Sequence, residues 1–205
     1  DMTLSEFDNE IRKDYNVVCG CDEAGRGPLA GDVFAAAVIF DKDTVIEGIN
    51  DSKKLTAKKR EELFDEIMEK AVDFSIQTAT VEEIEDINIL NAAMLAMKRA
   101  VEDMDTKPDV CLIDGNKTPE GLECPAIAVV KGDAKSQAVA AASILAKVAR
   151  DRYMEQMAEQ YPEYRFEKHK GYGTKLHYQM IDQYGPCGIH RMSFLKKYYA
   201  KKNGH

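Results

Sequence analysis

Four carboxylates are spaced along this chain as if to meet at one place. Asp22 and Glu23 close an apolar run that begins at Val17. Asp114 closes the run DVCLID, and Asp133 follows the run PAIAVV and the dipeptide Lys131-Gly132. An ionised carboxylate beside a core costs several kcal/mol unless it is paired or binds a metal. Strand-like runs that each end in acids can bring those acids into one cleft if the strands are neighbours. Hard divalent cations take such all-oxygen sites. Two of them, about 3.5–4 Å apart, can hold both the attacking water and the leaving oxygen of a phosphodiester. Directly after Glu23 comes a loop with Gly25, Arg26, Gly27, Pro28 and Gly31. Glycines let bare backbone N–H groups approach a ligand, and an arginine suits phosphate geometry. The pattern points to a metal site beside an oligoanion site.

Each acid has a plainer reading as well. Asp133 precedes a long helical stretch and could be its N-cap. Asp114, in Asp-Gly-Asn, could be a turn former, and Glu23 could be solvated. The convergence of all four on strand ends is what favours the metal. A second group is basic, polar or aromatic: Ser52, Lys53 and Lys54, then the stretch from His169 to Thr174 with Tyr172 between two glycines. A tyrosine so placed can stack on a base or sugar, or pack under a turn. The four histidines, at 169, 177, 190 and 205, have no HExxH or H-x-H spacing, so zinc is not expected. Gly-x-Ser-x-Gly and Walker-type lysine motifs are missing.

These residues need elements to position them. Residues 3–13 read as a short amphipathic helix with a Thr/Ser cap, and 16–22 and 31–40 as strands forming an antiparallel pair. A short strand is possible over 45–49. Thr56 is an N-cap candidate for a helix over 57–71 whose core stripe is Leu63, Ile67 and Ala71. Residues 73–80 alternate as a strand, and 81–86 and 88–104 read as helices, the second with a flat face of Ala92, Ala93, Ala96 and Ala100. Strands over 109–114 and 125–130 precede a long Ala-rich helix over 135–160, and helices follow over 175–184 and 193–202. Strands first, then strands alternating with helices, argue for an α/β fold with a mixed sheet.

The bulk numbers permit this. The 205 residues, 44% hydrophobic and 31% charged, suffice for a full core. No apolar run approaches a membrane span, and the polar N-terminus does not resemble a secretory signal. Five cysteines, at 19, 21, 111, 124 and 187, fit reduced thiols in a cytoplasm, with Cys19 and Cys21 as core residues on one strand face. The net charge of −8 hides an asymmetry: residues 165–205 carry nine Lys/Arg against Glu167 and Asp182. A basic tail on an acidic body fits a polyanion held at one end and metal-binding carboxylates at the other.

The segments CDEAGRGPLAG, DSKKL, IDGN, KGDAKS with AAASILAKVARDR, HKGYGT and IHRMSF together resemble the signature segments of type 2 ribonuclease H (ribonuclease HII), in family order over residues 19–194. The resemblance implies a ribonuclease H-like fold: a five-stranded mixed sheet flanked by helices, with residues 1–160 as catalytic domain and 161–205 as a basic helical C-terminal extension packed on it. It implies an endoribonuclease that cleaves 5′ of ribonucleotides, both in RNA/DNA hybrids and singly embedded in duplex DNA. The products would be a 3′-hydroxyl and a 5′-phosphate, as in ribonucleotide excision repair and primer removal. Matched position by position, Asp22, Glu23, Asp114 and Asp133 fall on the family's metal ligands for two Mg2+ or Mn2+ ions. Gly25, Arg26 and Gly27 fall on the motif that reads the ribose 2′-hydroxyl, and Tyr172 on the tyrosine that stacks on the following sugar. Ser52, Lys53 and Lys54 fall where the family contacts phosphates. The sister enzyme ribonuclease HIII carries threonine at the position of Arg26. Asp32 stands where the family commonly has proline and is expected to matter little. A monomer is expected, without membrane association. The tail FLKKYYAKKNGH lacks the glutamine that starts a clamp-binding peptide, so sliding-clamp recruitment is not expected. A DNA resolvase or transposase-type nuclease would share the acids but has no use for a 2′-hydroxyl reader. An idle nucleic-acid-binding module would be expected to lose one or more of the acids.

Overall fold

The computed structural model describes residues 1–204, and for residues 51–53 the backbone alone. Five strands form one sheet: β1 (Val18–Ala24), β2 (Val33–Ile39), β3 (Asp73–Ala79), β4 (Val110–Asp114) and β5 (Ala126–Val129), in the order β3-β2-β1-β4-β5. The pairs β1/β2 and β2/β3 are antiparallel, whereas β1/β4 and β4/β5 are parallel. This is the expected mixed sheet. β2 is buried along its whole length, as its unbroken apolar run requires.

Helices cover both faces. On one lie α3 (Val81–Ile87) and α4 (Ile89–Asp103), the latter pressing Ala92, Ala93, Ala96 and Ala100 against Cys19, Cys21, Cys111 and Ile113. On the other lie α2 (Ala57–Lys70) and the long α5 (Gln137–Gln160), through Leu63, Ile67 and the Ala138–Ala142 run. The cysteines therefore pack as core residues and all five are free thiols. Close approach of α5 to β1 depends on Gly20, where an added Cβ would lie 2.2 Å from the backbone carbon of Ala138. The helix α1 (Leu4–Arg12) begins with a capping box from Thr3 and Glu6 and buries Asp8. The Asp8 carboxylate accepts Ser136 Oγ at 2.6 Å and the Ala138 amide at 2.9 Å, tying α1 to the start of α5.

Two expectations need correction. Residues 45–49 make no strand: Val45 is 51% exposed, Ile46 and Ile49 turn inward, and a 3₁₀ turn starts at Ile49. The backbone here is satisfied by a side chain and not by a ladder: Ile46 N donates to Gln137 Oε1 at 2.9 Å, and Gln137 Nε2 donates to Thr44 O at 2.9 Å. Asp32 also matters more than its position suggests. Its amide donates to Tyr153 Oη at 3.2 Å, a bond proline could not make, and its carboxylate accepts the Val81 amide at 3.0 Å at the start of α3.

Past α5 the chain forms α6 (Phe166–His169), α7 (Lys175–Tyr184) and α8 (Met192–Lys202). These pack on the loop after β1 through two small cores: Ala30 with Met154, Tyr164 and Phe166, and Leu29 with Ile181 and Leu195.

Candidate active site

The sheet register brings the acids together. β1 and β4 run parallel with Cys21 opposite Ile113, so the next pair along the ladder is Asp22 and Asp114. Alternation places Val18 and Gly20 toward α5, and Asp22 follows on that face. Asp114 likewise follows Val110 and Leu112. Beyond β5 the chain turns through Lys131, left-handed at φ 56°, into a short 3₁₀ turn carrying Asp133. The Asp133 amide donates to Asp114 Oδ1 at 3.1 Å. The N-cap of α5 is Ser136, so Asp133 is released from the capping role its position allowed. β1 runs through Asp22 and Glu23 to Ala24, so the pair sits inside the last turn of the strand and not beyond it.

All four acids line one open cleft of about 530 Å³, together with Gly25, Arg26, Gly27 and Tyr172. Asp22 is 6% exposed and Asp133 8% exposed. Burial, then the neighbouring charges of Glu23 and Asp114, push the Asp22 carboxyl well above the usual carboxylate range. Burial also raises Asp114, assisted by the charges of Asp133 and Glu23 and opposed by the Asp133 amide. Ionisation of these carboxyls is thus opposed where water is scarce, a common mark of a functional site.

The donor set, oxygen only and anionic, fits a hard divalent cation. Among the described residues, no three His, Cys, Asp or Glu side chains are already arranged to hold a metal. Three of the four acids make local polar contacts. Asp22 Oδ1 accepts the Glu23 amide at 2.8 Å, Asp114 Oδ1 accepts the Asp133 amide, and Glu23 Oε1 pairs with Arg26 Nη1 at 3.3 Å. Each of these bonds engages one oxygen of its carboxylate.

The Gly25–Gly27 loop and the loop carrying Tyr172 meet at the same cleft. A Cβ on Gly27 would lie 3.7 Å from Tyr172 Cε1, so the tyrosine ring stands against the glycine loop. Tyr172 is 40% exposed, with Lys147 Nζ 5.8 Å from its ring centroid. Gly171 has φ 92°, and a Cβ there would strike the Ala30 carbonyl at 2.8 Å, so only glycine allows the loop to pass. Ser52 and Lys53 lie outside the described side chains. Lys54 is exposed and is not among the residues lining the cleft.

Over residues 19–197 the sequence matches the family described as Ribonuclease HII. The chain belongs to the ribonuclease HII family. A Ribonuclease HII of Caldicellulosiruptor saccharolyticus is 55% identical over 189 residues, 92% of each chain. The ribonuclease H2 structure from Pyrococcus horikoshii OT3 shares 29% identity and a TM-score of 0.76 over 92% of this chain and 100% of that one. A ribonuclease HII from Archaeoglobus fulgidus, solved in a PCNA complex, shares 25% identity and a TM-score of 0.67 over 86% of this chain and 94% of that one. Membership makes this ribonuclease HII chain a nuclease of the ribonuclease H type. Within the ribonuclease HII cleft, sequence reading missed Arg60, Ser143, Ile144 and Lys147. A signal existed for two of them: Ser143 and Lys147 are polar, one turn apart, in an otherwise alanine-rich helix.

Proposed function

We propose that this chain hydrolyses the phosphodiester on the 5′ side of ribonucleotides, in RNA/DNA hybrids and at single ribonucleotides in duplex DNA, leaving a 3′-hydroxyl and a 5′-phosphate. The observation that carries this reading is one cleft shared by four carboxylates, the Gly25-Arg26-Gly27 backbone and the Tyr172 ring. Asp22, Glu23, Asp114 and Asp133 would hold two divalent cations, Mg2+ or Mn2+. Such ions, when bound, supply an activated water and stabilise charge on the leaving oxygen.

The chain's own residues do the rest. Among the described residues the amides of Gly25, Arg26 and Gly27 donate to no protein acceptor, so they are available to a ribose 2′-hydroxyl and the adjoining phosphate. A site whose donors are filled only by a 2′-hydroxyl rejects deoxyribose strongly, because unpaired donors are expensive in a closed complex. Tyr172, in the same cleft, stacks on the sugar that follows. Lys147, with Ser52, Lys53 and Lys54, contributes phosphate contacts. The basic helices beyond residue 160 extend the catalytic unit along the duplex. A cytoplasmic setting in repair or primer removal belongs to the same reading, which requires no sliding clamp; among the described residues no helix is long and apolar enough to cross a membrane.

One gel tests the proposal: a duplex with a single ribonucleotide against an all-DNA duplex, each with Mg2+ and with EDTA. Cleavage of the first alone, in Mg2+ alone, is expected. Equal cutting of both duplexes, or cutting in EDTA, would overturn it.

A further inference from the structure

Residues 189–191 form a two-sided clamp between the loops assigned to recognition. Ala30 and His190 make an antiparallel bridge, with Gly31 N donating to Ile189 O at 2.9 Å and Arg191 N to Leu29 O at 2.7 Å. The Arg191 side chain is fully buried without an anionic partner in hydrogen-bond contact. It donates to four carbonyls of one loop: Gly25 at 2.7 Å, Pro28 at 2.9 Å, Arg26 at 3.2 Å and Gly31 at 2.8 Å. In a planar trans peptide the N–H points opposite the preceding C=O, so drawing the Gly25 and Arg26 carbonyls onto Arg191 turns the Arg26 and Gly27 amides away from it. Burying a guanidinium among neutral acceptors is costly, and four bonds to one loop are what offsets it.

His190 works on the other loop. Cys187 N donates to His190 Nδ1 at 2.9 Å, so a neutral His190 carries its proton on Nε2. That Nε2 lies 2.9 Å from His177 Nε2, which must then accept, leaving His177 Nδ1 to donate to the Tyr172 carbonyl at 2.8 Å. The two neighbouring side chains therefore hold Gly25-Arg26-Gly27 and Tyr172 from one point of the backbone.

We propose that His190 and Arg191 are positioning residues that set the spacing between the 2′-hydroxyl reader and the Tyr172 ring, and through it the preference for a ribonucleotide followed by DNA. This rests on the function proposed above. Neither side chain lines the cleft, so each acts through the loop it holds.

Paired substitutions separate positioning from mere structure. Glutamine at 190 can place an amide N–H where Nε2 stood and keep the link to His177, while losing the Cys187 bond. Asparagine does the reverse. His190→Asn is expected to lower kcat on a single-ribonucleotide duplex by about 10²-fold, the size a ~1 Å misplacement of a recognition group produces. Its KM, and its rate on a uniform RNA/DNA hybrid, should stay within about threefold, and His190→Gln should retain the junction preference. Arg191→Lys, which keeps the charge but not the four-way fork, loosens the 2′-hydroxyl reader itself, so it should lower kcat on both substrates but more on the single-ribonucleotide duplex, and it decides the matter should His190→Asn not fold. Melting temperatures are measured on every variant. Equal losses on both substrates, or His190→Asn and His190→Gln behaving alike, would overturn the clamp alone. A wild-type protein that leaves the single-ribonucleotide duplex uncut overturns the functional reading, and the clamp with it.

Discussion

Acid should loosen this fold through its histidines, and the amount can be worked out. His177 and His190 are buried and share a hydrogen bond within the Tyr172 linkage. Burial lowers both to about 4 from an ordinary 6.5, with His169 adding further repulsion. The unfolded chain therefore takes up protons first as pH falls, so stability is full above about 6.5 and is lost toward 4. A folded value near 4 against an unfolded value near 6.5 costs roughly 2 kcal/mol per histidine between about pH 7 and about pH 5. Burial lowers His169 too, with the same sign. The carboxyls of Asp8, Asp22, Asp32 and Asp114 are raised by burial and act the other way, binding protons more tightly in the fold as pH falls. The wild-type curve is thus a sum of opposing contributions.

Comparing wild type with His190→Gln isolates the histidine. Urea unfolding followed by circular dichroism at the two pH values should show wild type losing roughly 2 kcal/mol more than the variant on acidification. The variant is expected to be somewhat less stable at pH 7, because the Cys187 amide loses its acceptor. An identical pH dependence in the two proteins would refute the reasoning, since His190 would then not be held neutral by burial.

Three further outcomes follow from the site and its scaffold. Asp22→Asn is expected to abolish Mg2+-dependent cleavage while leaving duplex binding in a gel shift largely intact. Its melting temperature should rise, because burial and the charges of Glu23 and Asp114 oppose the native carboxylate. Tyr172→Ala should lose more kcat on a single-ribonucleotide duplex than on a uniform hybrid, and parallel losses would remove the stacking role. Gly20→Ala should destabilise by about 3 kcal/mol or more in urea titrations, since its Cβ would lie 2.2 Å from the backbone of α5.

The parts legible in sequence are those encoded locally. Thr56 caps α2 through the Lys59 amide as its position suggested, and the alanine face of α4 packs flat on the sheet. The acids were visible because a carboxylate ending an apolar run is anomalous on its own. Arg150 and Arg191 left no comparable sign. Each looks like an ordinary surface cation, yet Arg150 donates to the carbonyls of Ala30, Asp32 and Lys170 at 2.8, 3.1 and 2.8 Å, from entirely within the fold. Their partners are backbone oxygens up to 166 positions away, and such acceptors have no residue type to read. The histidines carry no metal-binding spacing in the sequence. The hydrogen bonds from His190 through His177 to the Tyr172 carbonyl join residues that only the fold brings together.

The acids and the packing of the sheet are one arrangement. Gly20 and Asp22 are alternate residues on the face of β1 covered by α5, and the missing side chain at 20 lets the helix settle directly on the strand. Ser143, Ile144 and Lys147 of that helix then wall the cleft over Asp22. Tight packing therefore causes the burial that raises the Asp22 carboxyl, and the parallel register of β1 with β4 sets Asp114 beside it. A looser helix contact would leave Asp22 hydrated and its charge inexpensive. The glycine two residues before the first acid thereby contributes to the burial of Asp22 without lining the cleft itself.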